Sequence, residues 1–197
     1  PALRGQTALV SFSGAASGTI RTDGNLTVGS AFTVGAQPIT LTALGVWDQG
    51  GNGLITSHDV GIWEDTNPTA LGIVTVPAAA AATLTGEFRY VDLATPLILQ
   101  PNSTYRLGAW FDASSAEPFL DTGSGTISNA VYASVISTGL PVYSIGSSIA
   151  YPGSGVVYTN GYVGPGALYT LGAIPEPSTF CLLGGIIALA FAIRRRR

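Results

Sequence analysis

Ahead of its C-terminal tail, the chain holds no helical repeat of ten residues or more. Short apolar runs recur instead, each closed by a turn signal, and this punctuation restricts the body to β architecture. The clearest runs are residues 26–34, 39–47, 60–63, 72–76, 88–93 and 105–111, with weaker ones at 8–12, 131–136, 156–158 and 167–171. In the last of the clear runs Tyr105, Leu107, Ala109 and Phe111 share one face, with Thr104, Arg106, Gly108 and Trp110 on the other. Turns are marked by Asp23-Gly24-Asn25, Gln49-Gly50-Gly51-Asn52-Gly53, Asn67-Pro68 and Pro101-Asn102. Ala78 to Ala82 is the one helical candidate, and Pro77 favours a loop or a single turn there. Roughly ten short strands predict an all-β fold, an antiparallel β-sandwich with jelly-roll-like connections, over residues 1–173. Residues 113–130 and 137–166, rich in Gly, Ser, Tyr and Pro, read as loops crossing the sandwich, the later one also as the start of a linker. No internal repeat is present.

Charge narrows the partners. Charged residues make up only 10% of the 197, against roughly a quarter in ordinary soluble domains. There is no Lys, and four of the eight Arg close the chain as Arg194, Arg195, Arg196 and Arg197. The remainder sets eleven acidic residues against Arg4, Arg21, Arg89 and Arg106, a net charge near −7. An acidic body argues against nucleic acid, whose phosphates need a basic face. The single cysteine, Cys181, lies in the apolar tail, so the body has neither disulfide nor thiol chemistry.

The tail, residues 174–197, is separate in kind. Residues 180–193, from Phe180 to Ile193, carry no charge. As a helix over about 179–193 they rise about 21 Å, short of the roughly 30 Å hydrocarbon core. Ser178 or Thr179 supplies an N-cap, and arginine snorkelling widens the span. Pro177 stops the helix upstream. A buried core helix is the alternative, but this segment is apolar on every side and Gly184-Gly185 weakens it in water. The positive-inside rule keeps the arginines cytoplasmic and the body outside. Pro175-Glu176-Pro177-Ser178-Thr179, then the apolar stretch, then the terminal Arg run resemble the PEP-CTERM sorting signal of Gram-negative and related bacteria. That resemblance implies an exported protein, held in the inner membrane by a transient anchor and cut near Pro175–Pro177 by an exosortase-type enzyme. It also implies a surface or extracellular destination and an association with exopolysaccharide and biofilm.

A second resemblance lies in the body. Leu44-Gly45-Val46-Trp47-Asp48, Gly51-Asn52-Gly53-Leu54 and His58-Asp59-Val60-Gly61-Ile62-Trp63 are similar to a β-sandwich domain of unknown function found in PEP-CTERM proteins. It implies no reaction.

Three sets of residues are candidates for chemistry. The loop from Asp48 to Asp59 has calcium-loop spacing, with Asp48 first, Asn52 fifth, Gly53 sixth and Asp59 twelfth, but Gly50 stands where an acid or amide is usual. The competing reading is a glycine-rich hairpin in which Asp and Asn make turns. His58, the only histidine, is either a metal ligand or a structural hydrogen-bonding residue. Trp47, Trp63 and Trp110 form either a sugar-stacking platform or part of the core. Glu64, Glu87, Glu117 and several Asp are the carboxylates a glycan hydrolase would draw on, but no nucleophile elbow, phosphate loop or dinucleotide fingerprint is present. The expectation is a non-catalytic structural or adhesive surface component, with a carbohydrate-binding module and a polysaccharide hydrolase as alternatives. Weakly charged, Lys-free strands also leave self-association open.

Overall fold

The computed structural model describes residues 5–14, 18–114, 117–121, 129–155 and 162–171. Fifteen strands follow one another: β1 (Thr7–Ala8), β2 (Val10–Phe12), β3 (Thr19–Arg21), β4 (Leu26–Val34), β5 (Ile39–Trp47), β6 (His58–Glu64), β7 (Ala70–Val76), β8 (Thr83–Thr85), β9 (Phe88–Leu99), β10 (Thr104–Phe111), β11 (Phe119–Asp121), β12 (Ala130–Tyr132), β13 (Ile136–Ile145), β14 (Ser154–Gly155) and β15 (Pro165–Leu171). The all-β expectation holds, and every pairing between these strands is antiparallel.

Two sheets face each other. The first has the order β1-β15-β5-β9-β8 and the second β14-β13-β4-β10-β6-β7. Removing the peripheral β8, β13 and β14 leaves β1-β15-β5-β9 over β4-β10-β6-β7. In chain order these eight strands cross between sheets at every step except the β6–β7 hairpin. This is the connectivity of a jelly roll. Two small pairs, β3 with β11 and β2 with β12, complete the described body.

Period-two patterning decides which residues go inside. Tyr105, Leu107, Ala109 and Phe111 of β10 join Val28, Phe32 and Val34 of β4 and Val60 and Ile62 of β6 in the core between the sheets. In β5 a bulge at Thr42 shifts the register against β15 by one residue, between the pairs Leu41–Tyr169 and Ala43–Leu168. A shift of one moves every later side chain to the opposite face. Ile39 and Leu41, then Leu44 and Val46, therefore all face the main core. Ala43 and Trp47 instead enter a second cluster with Phe88, Tyr90, Leu168 and Val10. The strand is buried almost throughout because it serves two cores.

The second sheet's outer face is also covered. Gly108 of β10 stands opposite Gly29 of β4 and Gly61 of β6, giving a row of glycines across three strands. The Trp63 ring lies on this row: a Cβ on Gly61 would come within 2.5 Å of it, and one on Gly108 within 3.4 Å. Residues 146–153 close over the ring. Tyr151 meets Trp63 edge-on at 6.4 Å, and Arg106 lies 5.0 Å from the Tyr151 ring centre. Arg106 also donates to the Pro152 carbonyl at 2.6 Å and to Asp65 Oδ1 at 2.7 Å. Thr27 Oγ1 accepts from the Ala150 amide, and Trp110 Nε1 donates to the Gly146 carbonyl. Part of the segment expected to be loop is thus a strap, and Ile136–Ile145 before it is a strand.

Candidate functional site

The Asp48–Asp59 loop leaves β5 and enters β6 at one end of the sandwich. A short 3-10 turn, Gln49–Gly51, opens it, and Gly50 and Gly53 take positive φ values of 77° and 108°, where a side chain would be strained. Asp48 is fully buried and organises the loop. Its carboxylate accepts the Gly53 amide, 3.1 Å from Oδ1 and 3.0 Å from Oδ2, and Arg89 Nε at 2.6 Å. Arg89, reaching from β9, places its other nitrogens on the Ala82 carbonyl at 3.0 Å and the Gly51 carbonyl at 3.1 Å. Both sides of this buried ion pair are therefore hydrogen-bonded, as burial of charge demands.

Calcium at this loop would have to compete with partners that two of the three candidate ligands already hold. The Asp48 carboxylate already carries a guanidinium partner. Asn52 is exposed, and Asp59 accepts the Thr75 hydroxyl at 2.6 Å across the β6–β7 pair. Among the described residues no group of three or more His, Cys, Asp or Glu could share one ion. The loop joins strands of opposite sheets and so is not a hairpin, and within it Asp48 does the work of a turn residue.

His58 begins β6 beneath this loop, 1% exposed. Its Nδ1 lies 3.0 Å from the Trp110 carbonyl; since a carbonyl only accepts, Nδ1 bears the proton. Nε2 has no hydrogen-bond partner among the described residues and lies 3.8 Å from Glu117 Oε2. Glu117, itself buried, accepts the Ile55 amide. A shallow cleft of about 310 Å³ lined by Gln49, Asn52, Gly53, Ile55, Glu117 and Pro118 opens above the pair. Sequence reasoning did not connect His58 with Glu117, because fifty-odd residues and the four strands β7 to β10 separate them and no local pattern joins them.

The three tryptophans are not brought together. Trp47 is 1% exposed in the cluster on the first sheet, where Nε1 donates to Glu87 Oε2 at 2.9 Å. Trp63 is 2% exposed under the strap on the second sheet. Trp110 is half-buried and tied to Gly146. Of the acidic candidates, Glu87 holds Trp47, Glu117 holds the loop, and Glu64 is exposed at the end of β6. The sorting residues Pro175, Glu176 and Pro177 and the anchor from Phe180 through Ile193 to Arg194–Arg197 lie outside the described residues. Among those described, no helix is long and apolar enough to cross a membrane.

Fold and site together define an acidic β-sandwich body in which buried polar side chains hold loops and strands in place. Residues 173–197 match the family model of the PEP-CTERM protein-sorting motif. The chain thus carries the tail of an exosortase substrate, which implies export as a membrane-anchored precursor, processing by an exosortase-type enzyme and sorting to the cell surface. No curated protein and no solved structure matches the chain.

Proposed function

We propose that the body acts as a non-catalytic structural or adhesive component of the cell surface or extracellular matrix, in association with exopolysaccharide or biofilm. The observation that carries this reading is the engagement of the candidate chemical residues in architecture. Asp48 is paired with Arg89, Glu87 with Trp47 and Glu117 with the Ile55 amide, while two of the three tryptophans are core. Such a body offers a stable, acidic surface rather than a reactive cleft.

Deleting the gene in the source cell, with attachment and matrix cohesion as readouts, tests the reading. Loss of either, restored by the full chain, is the expected result. Unchanged attachment together with turnover of a polysaccharide by the purified chain overturns it in favour of a hydrolase.

One observation favours a carbohydrate-binding alternative. A cleft of about 290 Å³ on the outer face of the first sheet gathers Gln6, Thr83, Thr85, Asp92 and the Tyr90 ring. An amide, two hydroxyls and a carboxylate beside an aromatic ring suit a neutral sugar. Glycan-array binding abolished by Thr83→Ala and Asp92→Ala, and retained by Trp110→Ala, would support this alternative and move the ligand site away from the tryptophans.

A further inference from the structure

The four ends of the two sheets are not equally protected. An open edge offers unpaired N–H and C=O groups to any passing strand, and proteins blunt such edges with short strands, prolines, bulges or charges. Three of the ends here carry those devices. The first sheet ends in β1, two residues long, and in β8, three residues long; beyond β8, strand β9 presents Asp92 and Pro96. The second sheet ends on one side in two-residue β14, behind which β13 is interrupted by a register shift between Thr138 and Pro141.

The fourth end, β7, carries such a device only at its start, where a register shift opposite Ile62 and Trp63 leaves Leu71 without a partner in β6; from Gly72 to Val76 it has none. It runs seven residues, Ala-Leu-Gly-Ile-Val-Thr-Val, and pairs only with β6. Val74 and Val76 point into the core, and Gly72 rests over Leu93 and Leu97 of the opposite sheet. The alternate side chains Leu71 and Ile73 remain 37% and 48% exposed. No charged residue occurs anywhere from Thr66 through Gly86.

The geometry points to a second copy of this chain as the occupant of that edge. Two β7 strands would pair antiparallel about a two-fold axis at Ile73 and join two six-stranded sheets into one. An isologous contact sets each residue against its own kind or its mirror position, so a charge near the axis would repel itself. The charge-free β7 is the strand compatible with this arrangement, and it offers a charged partner nothing to read. Centred on Ile73, the pairing sets Ile73 against its twin and Gly72 against Val74, with the bulged Leu71 flanking the strip. Asp59, the nearest acid on that face, sits one strand further in and is bonded to Thr75. Across the dimer the two Asp59 columns are three strand spacings apart, about 14 Å, beyond the roughly 8 Å screening length at physiological salt. The contact is small, so the dimer forms with rising concentration rather than as an obligate pair.

Disulfide trapping in the full chain tests this, with Cys181→Ser removing the native thiol. Under mild oxidation Ile73→Cys cross-links to a dimer, and Ile145→Cys, exposed on the opposite edge of the same sheet, stays monomeric. Thr75→Cys, whose twin lies four residues along the strand across the axis, stays monomeric. In sedimentation, Ile73→Lys weakens dimerisation about tenfold without changing the thermal melt. Equal cross-linking at Ile73 and Ile145, as association through the tail would give, overturns the proposal. So does a monomer at every concentration, or dimerisation unaffected by Ile73→Lys.

Discussion

At the scale of single residues, the Asp48–Arg89 pair shows why sequence and structure part at the candidate site. Asp48, Asn52, Gly53 and Asp59 are spaced as in a calcium loop, yet Arg89, thirty residues beyond that spacing, takes the Asp48 carboxylate. A pattern read along the chain cannot reveal a partner that arrives from another strand. Two outcomes follow. Arg89→Met leaves a buried carboxylate without its counter-charge and lowers stability by about 3–5 kcal/mol, measurable by urea denaturation. With the Asp48 carboxylate held by Arg89, the melting temperature is expected to be unchanged by EDTA or by added calcium, and a shift with either would favour the metal reading. Tyr90 supplies a third test. Its hydroxyl is buried without a hydrogen-bond partner among the described residues, and burial holds the phenol above its usual range. Removing an unsatisfied buried group helps rather than harms, so Tyr90→Phe stabilises the body by about 1 kcal/mol. The sign in pH is fixed by the same fact. The folded state keeps the phenolic proton more tightly than the unfolded chain, so this contribution is complete below the ordinary tyrosine value, about pH 10, and declines above it. Tyr90→Phe therefore flattens the alkaline limb of the stability profile, and an unchanged limb would assign the loss to other groups.

At the scale of elements, strands with clean alternation or unbroken apolar runs were legible in the sequence. Residues 26–34 and 39–47 coincide with β4 and β5, and 105–111 with all but the first residue of β10. What escaped was the strand that breaks the local rules. β13 contains Gly139 and Pro141, ordinary turn signals, and survives because it lies near a sheet edge with a register shift at that point. The run at 88–93 likewise continues to Leu99 through Pro96, which lies in an exposed stretch of β9. β3, β8 and β11, three residues each, are too short for any period to show. The glycine row under Trp63 was equally hidden, because Gly29, Gly61 and Gly108 meet only through strand register. Its role is steric. Gly61→Ala would push a methyl group into the Trp63 ring and displace the strap, costing about 1–3 kcal/mol. Faster amide exchange across residues 146–153 would accompany the loss; exchange unchanged there would separate the strap from the ring.

For the whole molecule, two kinds of information divide the chain. The body's jelly-roll connectivity comes from many weak signals, each a short amphipathic strand, and gains definition only when the sheets pair. The tail is a single contiguous signal, which is why residues 173–197 could be assigned from sequence while the Asp48 loop could not. Terminal arginines on one side of an apolar span and an acidic body on the other suit a membrane-anchored precursor. Cleavage near Pro175–Pro177 would then free a body that keeps at least ten of the eleven acids and loses half its arginines. The intact mass of the protein taken from its native cell surface tests this account most directly. The account predicts a mature chain ending near the Pro-Glu-Pro motif, without residues 180–197; a surface protein that still carries Phe180 through Arg197 would contradict it.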